Sequence, residues 1–113
     1  FETAMMLYEK GYYDLTAFNL EQSAQLFLKY TLWKKLGDYP KTHSLLTLFE
    51  ELEESSPENY QRIKEFIKEN RDVLNELDMA YLESRYFPAN FFREQIERMI
   101  SFLKKLKSFL LTI

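Results

Sequence analysis

His43, in "YPKTHSLL", is the single imidazole of the chain. One histidine cannot form a histidine metal cluster, and no carboxylate lies at a spacing that would complete one. It is therefore either a capping or packing residue that orders its own loop, or an imidazole that faces a ligand. Arg85, in "LESRYFPANFF", is a second candidate for handling a charged group. It stands beside Tyr86 and Phe87, just before Pro88, where one helical pattern stops and the next begins. Two roles are open to it: satisfying helix-end carbonyls or pairing with Glu83 or Glu94, or holding a phosphate through two parallel hydrogen bonds. The 18 acidic residues mostly fit solvated faces, including the run "EELEES" at Glu50–Ser55. "WKK" at Trp33–Lys35 mixes an aromatic ring with cations, as single-strand nucleic-acid surfaces do. It also suits an ordinary helix end, where lysine favours the last turn. No glycine-rich phosphate loop, serine nucleophile motif or paired-carboxylate signature is present. With no cysteine, a thiol nucleophile, a disulfide framework and a cysteine-bound zinc are all excluded. No cofactor and no metal are called for.

The elements that must position these residues are helices. Two glycines and three prolines fall where helices would end. An apolar piece, Phe1, Ala4, Met5, Leu7 and Tyr8, stops at Gly11; it is expected to be the last part of a helix cut at its start, the chain opening at Phe1. From Tyr13 to Leu36 a longer pattern carries Ala17, Leu20, Ala24, Leu28 and Thr31 at intervals of three and four. Its two alanines allow a close neighbour, and Gly37 follows in the usual place of a left-handed cap. "GDYPKT" is then a turn, because Pro40 lacks an amide hydrogen and disfavours helix in Tyr39.

The next helix should start near Thr42 or Ser44 and bury Leu45, Leu48, Phe49 and Leu52. "SSPEN" marks another start, with Ser56 as cap and Pro57 in the first helical position. One face then continues through Tyr60, Ile63, Ile67, Leu74, Leu77 and Tyr81. Asn70 interrupts it and either pairs inside the core or sets helix register. The last helix, after Pro88, has the cleanest spacing: Phe92, Ile96, Met99, Leu103, Leu106, Leu110 and Ile113. Phe91, Phe102 and Phe109 lie off that seam, as additional core or as a dimer face. No segment alternates as a strand would. The expectation is an all-α, up-and-down antiparallel bundle of four to five helices, one domain over residues 1–113.

A net charge of −3 argues against a strongly basic nucleic-acid binder, though not against a local basic patch. No apolar run is long enough to span a bilayer, and no secretory signal is seen.

The order of these elements resembles that of HEPN domains over nearly the whole chain. Gly11 to Leu52 is similar to the first half of that family, through Gly11, Tyr13, Ala17, Phe18, Gln22 and Ala24, then Lys41, Thr42, His43 and Leu45 in the turn and the start of the next helix. "LESRYFPANF" resembles the segment before the last helix, where the family carries an arginine and an aromatic residue. The resemblance implies a prokaryotic, cytoplasmic homodimer with no membrane association. It also implies either a metal-independent ribonuclease or a nucleotide-binding partner of a minimal nucleotidyltransferase in a toxin–antitoxin-like pair. The site residues it points to are Arg85, Tyr86, Asn90 and His43.

In the ribonuclease branch the motif is an arginine, four to six residues, and a histidine. Here Arg85 is followed by Tyr86, Phe87, Pro88 and Ala89, and then by Asn90. An amide cannot exchange a proton near neutral pH, so Asn90 can bind a phosphate or ribose but cannot serve as general acid or base. Loss of that proton transfer removes about a hundredfold or more of rate. His43 could replace it only if the fold brings His43 to Arg85. Three readings follow: a dimeric binder of nucleotide or RNA phosphate near Arg85, an active ribonuclease, and a helical interaction module without ligand.

Overall fold

Glycine and asparagine decide where three of the helices stop. The computed structural model describes residues 1–86 and 91–113, with the backbone alone for 83–86. Its helices are α1 (Glu2–Glu9), α2 (Tyr13–Leu36), α3 (Leu45–Ser55), α4 (Tyr60–Glu69), α5 (Arg71–Tyr86) and α6 (Arg93–Leu111). No strand occurs among the described residues. Gly11 and Gly37 have φ of 81° and 76°, the left-handed conformation that ends α1 and α2. The Gly37 amide donates to the Trp33 carbonyl at 2.8 Å, closing the last turn of α2.

The bundle is all-α, as expected, but the described residues form six helices because the face running from Tyr60 to Tyr81 is divided at Asn70. The Asn70 side-chain amide donates to the Phe66 carbonyl at 2.8 Å. Its backbone amide donates to the Phe66 and Ile67 carbonyls, while its carbonyl accepts from Leu74 at 3.0 Å. One residue thus closes α4 and opens α5. The core does not break there, since Ile63, Ile67, Leu74 and Leu77 join one buried cluster. Pro57 opens a single 3-10 turn, Pro57–Asn59, and the α-helix proper starts at Tyr60.

Helix α2 is the axis of the molecule. Its 24 residues rise about 36 Å, most of the 41 Å long dimension. It packs against α1, α3, α5 and α6. Ala17, Leu20, Ala24, Leu28 and Leu32 are fully buried along it. The phenylalanines off the α6 seam belong to the interior: Phe66 of α4 stacks on Phe109 at 4.3 Å and lies 5.8 Å from Phe102 and 6.0 Å from Phe49. These rings fill the space between α3, α4 and α6. No helix among the described residues is long and apolar enough to cross a membrane.

Candidate functional site

The connection from α2 to α3 is short, polar and tied down at several points. Asp38 accepts from the Tyr39 amide at 2.8 Å. Lys29 lies over the Tyr39 ring, 5.7 Å from its centre. The Thr42 hydroxyl accepts from the Ser44 amide at 3.1 Å, and the Ser44 hydroxyl accepts from the Thr47 amide at 3.2 Å. Ser44, not His43, is therefore the cap of α3. The imidazole is left exposed and stacks on Tyr81 of α5, with ring centres 4.8 Å apart and planes 19° apart. Tyr81 is also nearly parallel to Phe18 of α2, at 6.4 Å. Three elements so contribute one ring each to an aromatic cluster.

Asp78 is one turn earlier on α5. Its carboxylate accepts from the Leu45 amide at the start of α3, yet burial dominates and raises its pKa above the ordinary aspartate value. His43, Ser44, Asp78, Tyr81 and Leu82 line a recess of about 270 Å³. Behind it sits Glu21, fully buried in the middle of α2. Gln25 and Gln22 donate to its two oxygens at 2.7 and 2.8 Å. Gln25 also donates to the His43 carbonyl at 3.3 Å, joining this buried polar group to the loop that carries the imidazole. Burial pushes the Glu21 carboxyl up to about 6, against the opposing effect of the two amide donors; the charge of Asp78 adds to the rise.

Of the residues singled out by sequence, His43 is brought to α5. Arg85 and Tyr86 lie in the last turn of α5, with Arg85 four residues beyond Tyr81; their side chains, and Asn90 entirely, fall outside the described residues. The imidazole contacts α5 at Tyr81, one turn before Arg85 along the helix. Sequence reasoning passed over Asp78, Tyr81, Glu21 and Gln25 as site residues. A signal for two of them existed. Glu21 and Gln25 stand at i and i+4 on one helix, the spacing at which a carboxylate and an amide meet. No group of three or more potential ligands that could hold a metal occurs among the described residues.

The arrangement offers an exposed aromatic face, a carboxylate acceptor and an imidazole able to exchange a proton. A family model described as HEPN domain matches the chain over residues 1–113. No curated protein and no solved structure matches it.

Proposed function

The chain belongs to the HEPN domain family, and from that premise we propose that it binds the phosphate of a nucleotide or of RNA where the α2–α3 connection meets the end of α5. His43 carries the reading: it is exposed and stacked on Tyr81, one helical turn before Arg85. The guanidinium of Arg85 supplies the bidentate donor for phosphate, and Tyr86 and Asn90 supply further contacts. The protein acts in this reading as a homodimer, with a nucleotidyltransferase-type protein as its partner. Supporting the dimer, Leu15, Leu26, Tyr30 and Trp33 recur at helical spacing along α2 and are all more than half exposed. Calorimetry with nucleotides and a short RNA, wild type beside Arg85→Ala, tests the binding. We expect the substitution to weaken binding at least tenfold through loss of a charge-assisted pair. Unchanged affinity would show that Arg85 is a helix-end residue and leave an interaction module.

The same contact between His43 and Tyr81 favours a second reading, metal-independent RNA cleavage with His43 as the base that Asn90 cannot be. It expects cleavage in chelator that is lost in both His43→Ala and Arg85→Ala. Intact RNA after prolonged incubation with wild-type protein removes it.

A further inference from the structure

The last parts of α2 and α6 carry no acid. On α2 no aspartate or glutamate follows Glu21, and on α6 none follows Glu97. These two segments face each other across a groove of about 480 Å³. From α2 it is lined by Phe27, Thr31, Lys34 and Lys35, at i, i+4, i+7 and i+8, one face of the helix. From α6 it is lined by Lys107, Leu110 and Leu111, at i, i+3 and i+4. The apolar wall is open to a ligand, since Leu111 is 81% exposed. The Thr31 hydroxyl is already committed to the Phe27 carbonyl at 2.9 Å. Three lysines line the groove and no carboxylate does. Among the described residues none of these lysines has an ion-pair partner. Lysine in a last turn offsets the helix dipole, which accounts for Lys34 and Lys35. Lys107 lies outside the last turn of α6, so the dipole does not account for it.

We propose that this groove binds a free single-chain amphiphile with one carboxylate, of the fatty-acid class, its tail along Phe27, Leu110 and Leu111 and its head among Lys34, Lys35 and Lys107. Charge sets the sign of the head: ammonium groups around hydrocarbon attract an anion and repel a cation. Size and lining set the rest. The volume falls within the ~300–1,000 Å³ of small-ligand clefts. A nucleotide would leave its polar edges unpaired against the hydrocarbon wall. A nucleic-acid strand needs free ring faces, whereas Tyr30, the exposed ring of the groove, already has Lys34 over it at 5.5 Å and Trp33 beside it at 6.3 Å. The site is separate from the nucleotide-binding region at the end of α5. It shares only Tyr30 with the stripe proposed for the homodimer, because Leu15, Leu26 and Trp33 do not line it.

The test is calorimetry on the full chain with octanoate, decanoate and dodecanoate below their micellar concentrations, and with dodecyltrimethylammonium as a cation of the same tail. One carboxylate should bind per chain, with affinity rising about tenfold for every two carbons as methylenes leave water. The cation should not bind. The double variant Lys35→Gln, Lys107→Gln should weaken dodecanoate about tenfold with an unchanged urea midpoint. The double variant Lys35→Arg, Lys107→Arg should retain the affinity, and Lys64→Gln on α4 should leave it unaltered. Absence of carboxylate binding overturns the proposal. So does equal binding of the cation, which would mean apolar surface without charge selection, and so does unchanged dodecanoate affinity in the double glutamine variant. In sedimentation with vesicles of equal phosphatidylglycerol and phosphatidylcholine the protein should stay in the supernatant. Pelleting that is lost in the double glutamine variant would make a membrane surface the occupant and overturn the free amphiphile.

Discussion

Glu21 shows how one residue can couple folding to acidity. Its carboxyl is fully buried and titrates near pH 6, against a usual value of 4.5. The folded chain therefore holds this proton more tightly than the unfolded chain, and folding takes up a proton between those two values. Stability from this group is greatest below pH 4.5 and declines as pH rises through 6. The decline amounts to about 2 kcal/mol at 1.36 kcal/mol per pKa unit. Urea unfolding at pH 5 and pH 7.5 spans rather more than half of that decline, so the fall in wild type should be smaller by about 1 kcal/mol in Glu21→Gln. An identical pH dependence in the two proteins would mean that Glu21 is solvated. The two glutamines make the burial tolerable: each donates to one carboxylate oxygen, so no charged oxygen of Glu21 is without a donor in either direction. Asp78 has only a backbone donor from Leu45 to oppose its burial, and its shift is upward as well.

At the scale of the element, the short connections matter more than the helices they join. Gly37 ends α2 with φ of 76° and has nothing within 4 Å of where a side chain would begin. Substitution there costs backbone strain without a clash. Gly37→Ala should thus lower stability by about 1 kcal/mol, read as a shift in the urea midpoint with unchanged slope. The loop beginning at Gly37 delivers His43 to α5, so the same variant should also weaken nucleotide binding slightly. Asn70 does the opposite job. It divides α4 from α5 while the apolar face passes through the break, so Ile67 and Leu74 enter one core from two helices. At the far end, Arg62 ties α4 to the end of α6, donating to Thr112 at 2.6 Å and lying over Phe109 at 5.4 Å. At the near end, Arg93 of α6 donates to the Tyr8 hydroxyl of α1 at 3.2 Å and pairs with Glu97. These contacts are exposed and add little to stability.

For the molecule as a whole, α2 has two roles that pull its composition in different directions. Four helices pack around it and bury one broad side, while Leu15, Leu26, Tyr30 and Trp33 remain outside. Tyr30 stacks loosely on Trp33 at 6.3 Å, and Lys34 lies over the Tyr30 ring at 5.5 Å. Such a stripe is costly to leave in water, which is the physical basis of the proposed homodimer. The expected outcome is a dimer by sedimentation at micromolar concentration and a monomer of unchanged helicity for the double variant Leu26→Glu, Tyr30→Glu. A wild-type monomer under those conditions sinks the homodimer. A dimer that survives the double substitution moves the interface elsewhere.

What the sequence determined by itself is what local rules control. The limits of α2, the left-handed cap at Gly37, a start of α3 near Thr42 or Ser44 and the α6 seam from Ile96 to Leu110 follow from spacing, glycine and side-chain hydrogen bonding within a few residues, whereas Phe92, expected on that seam, is exposed at the helix start. His43 stood out as the single imidazole, and Arg85 by its place between two helical patterns. Spacing along the chain could not say that His43 reaches the helix that carries Arg85, since 42 residues separate the two and loop closure carries no pattern of its own. The bend at Asn70 was visible as an interruption but not as a division, because the same polar residue in a seam can pair or break according to what packs behind it. Only the tertiary structure decided that α5 turns back to set Tyr81 under His43, that Asp78 faces the start of α3, and that Glu21 is sealed within the bundle. Those are contacts between distant segments, and their energies depend on burial, which belongs to the packed helices together.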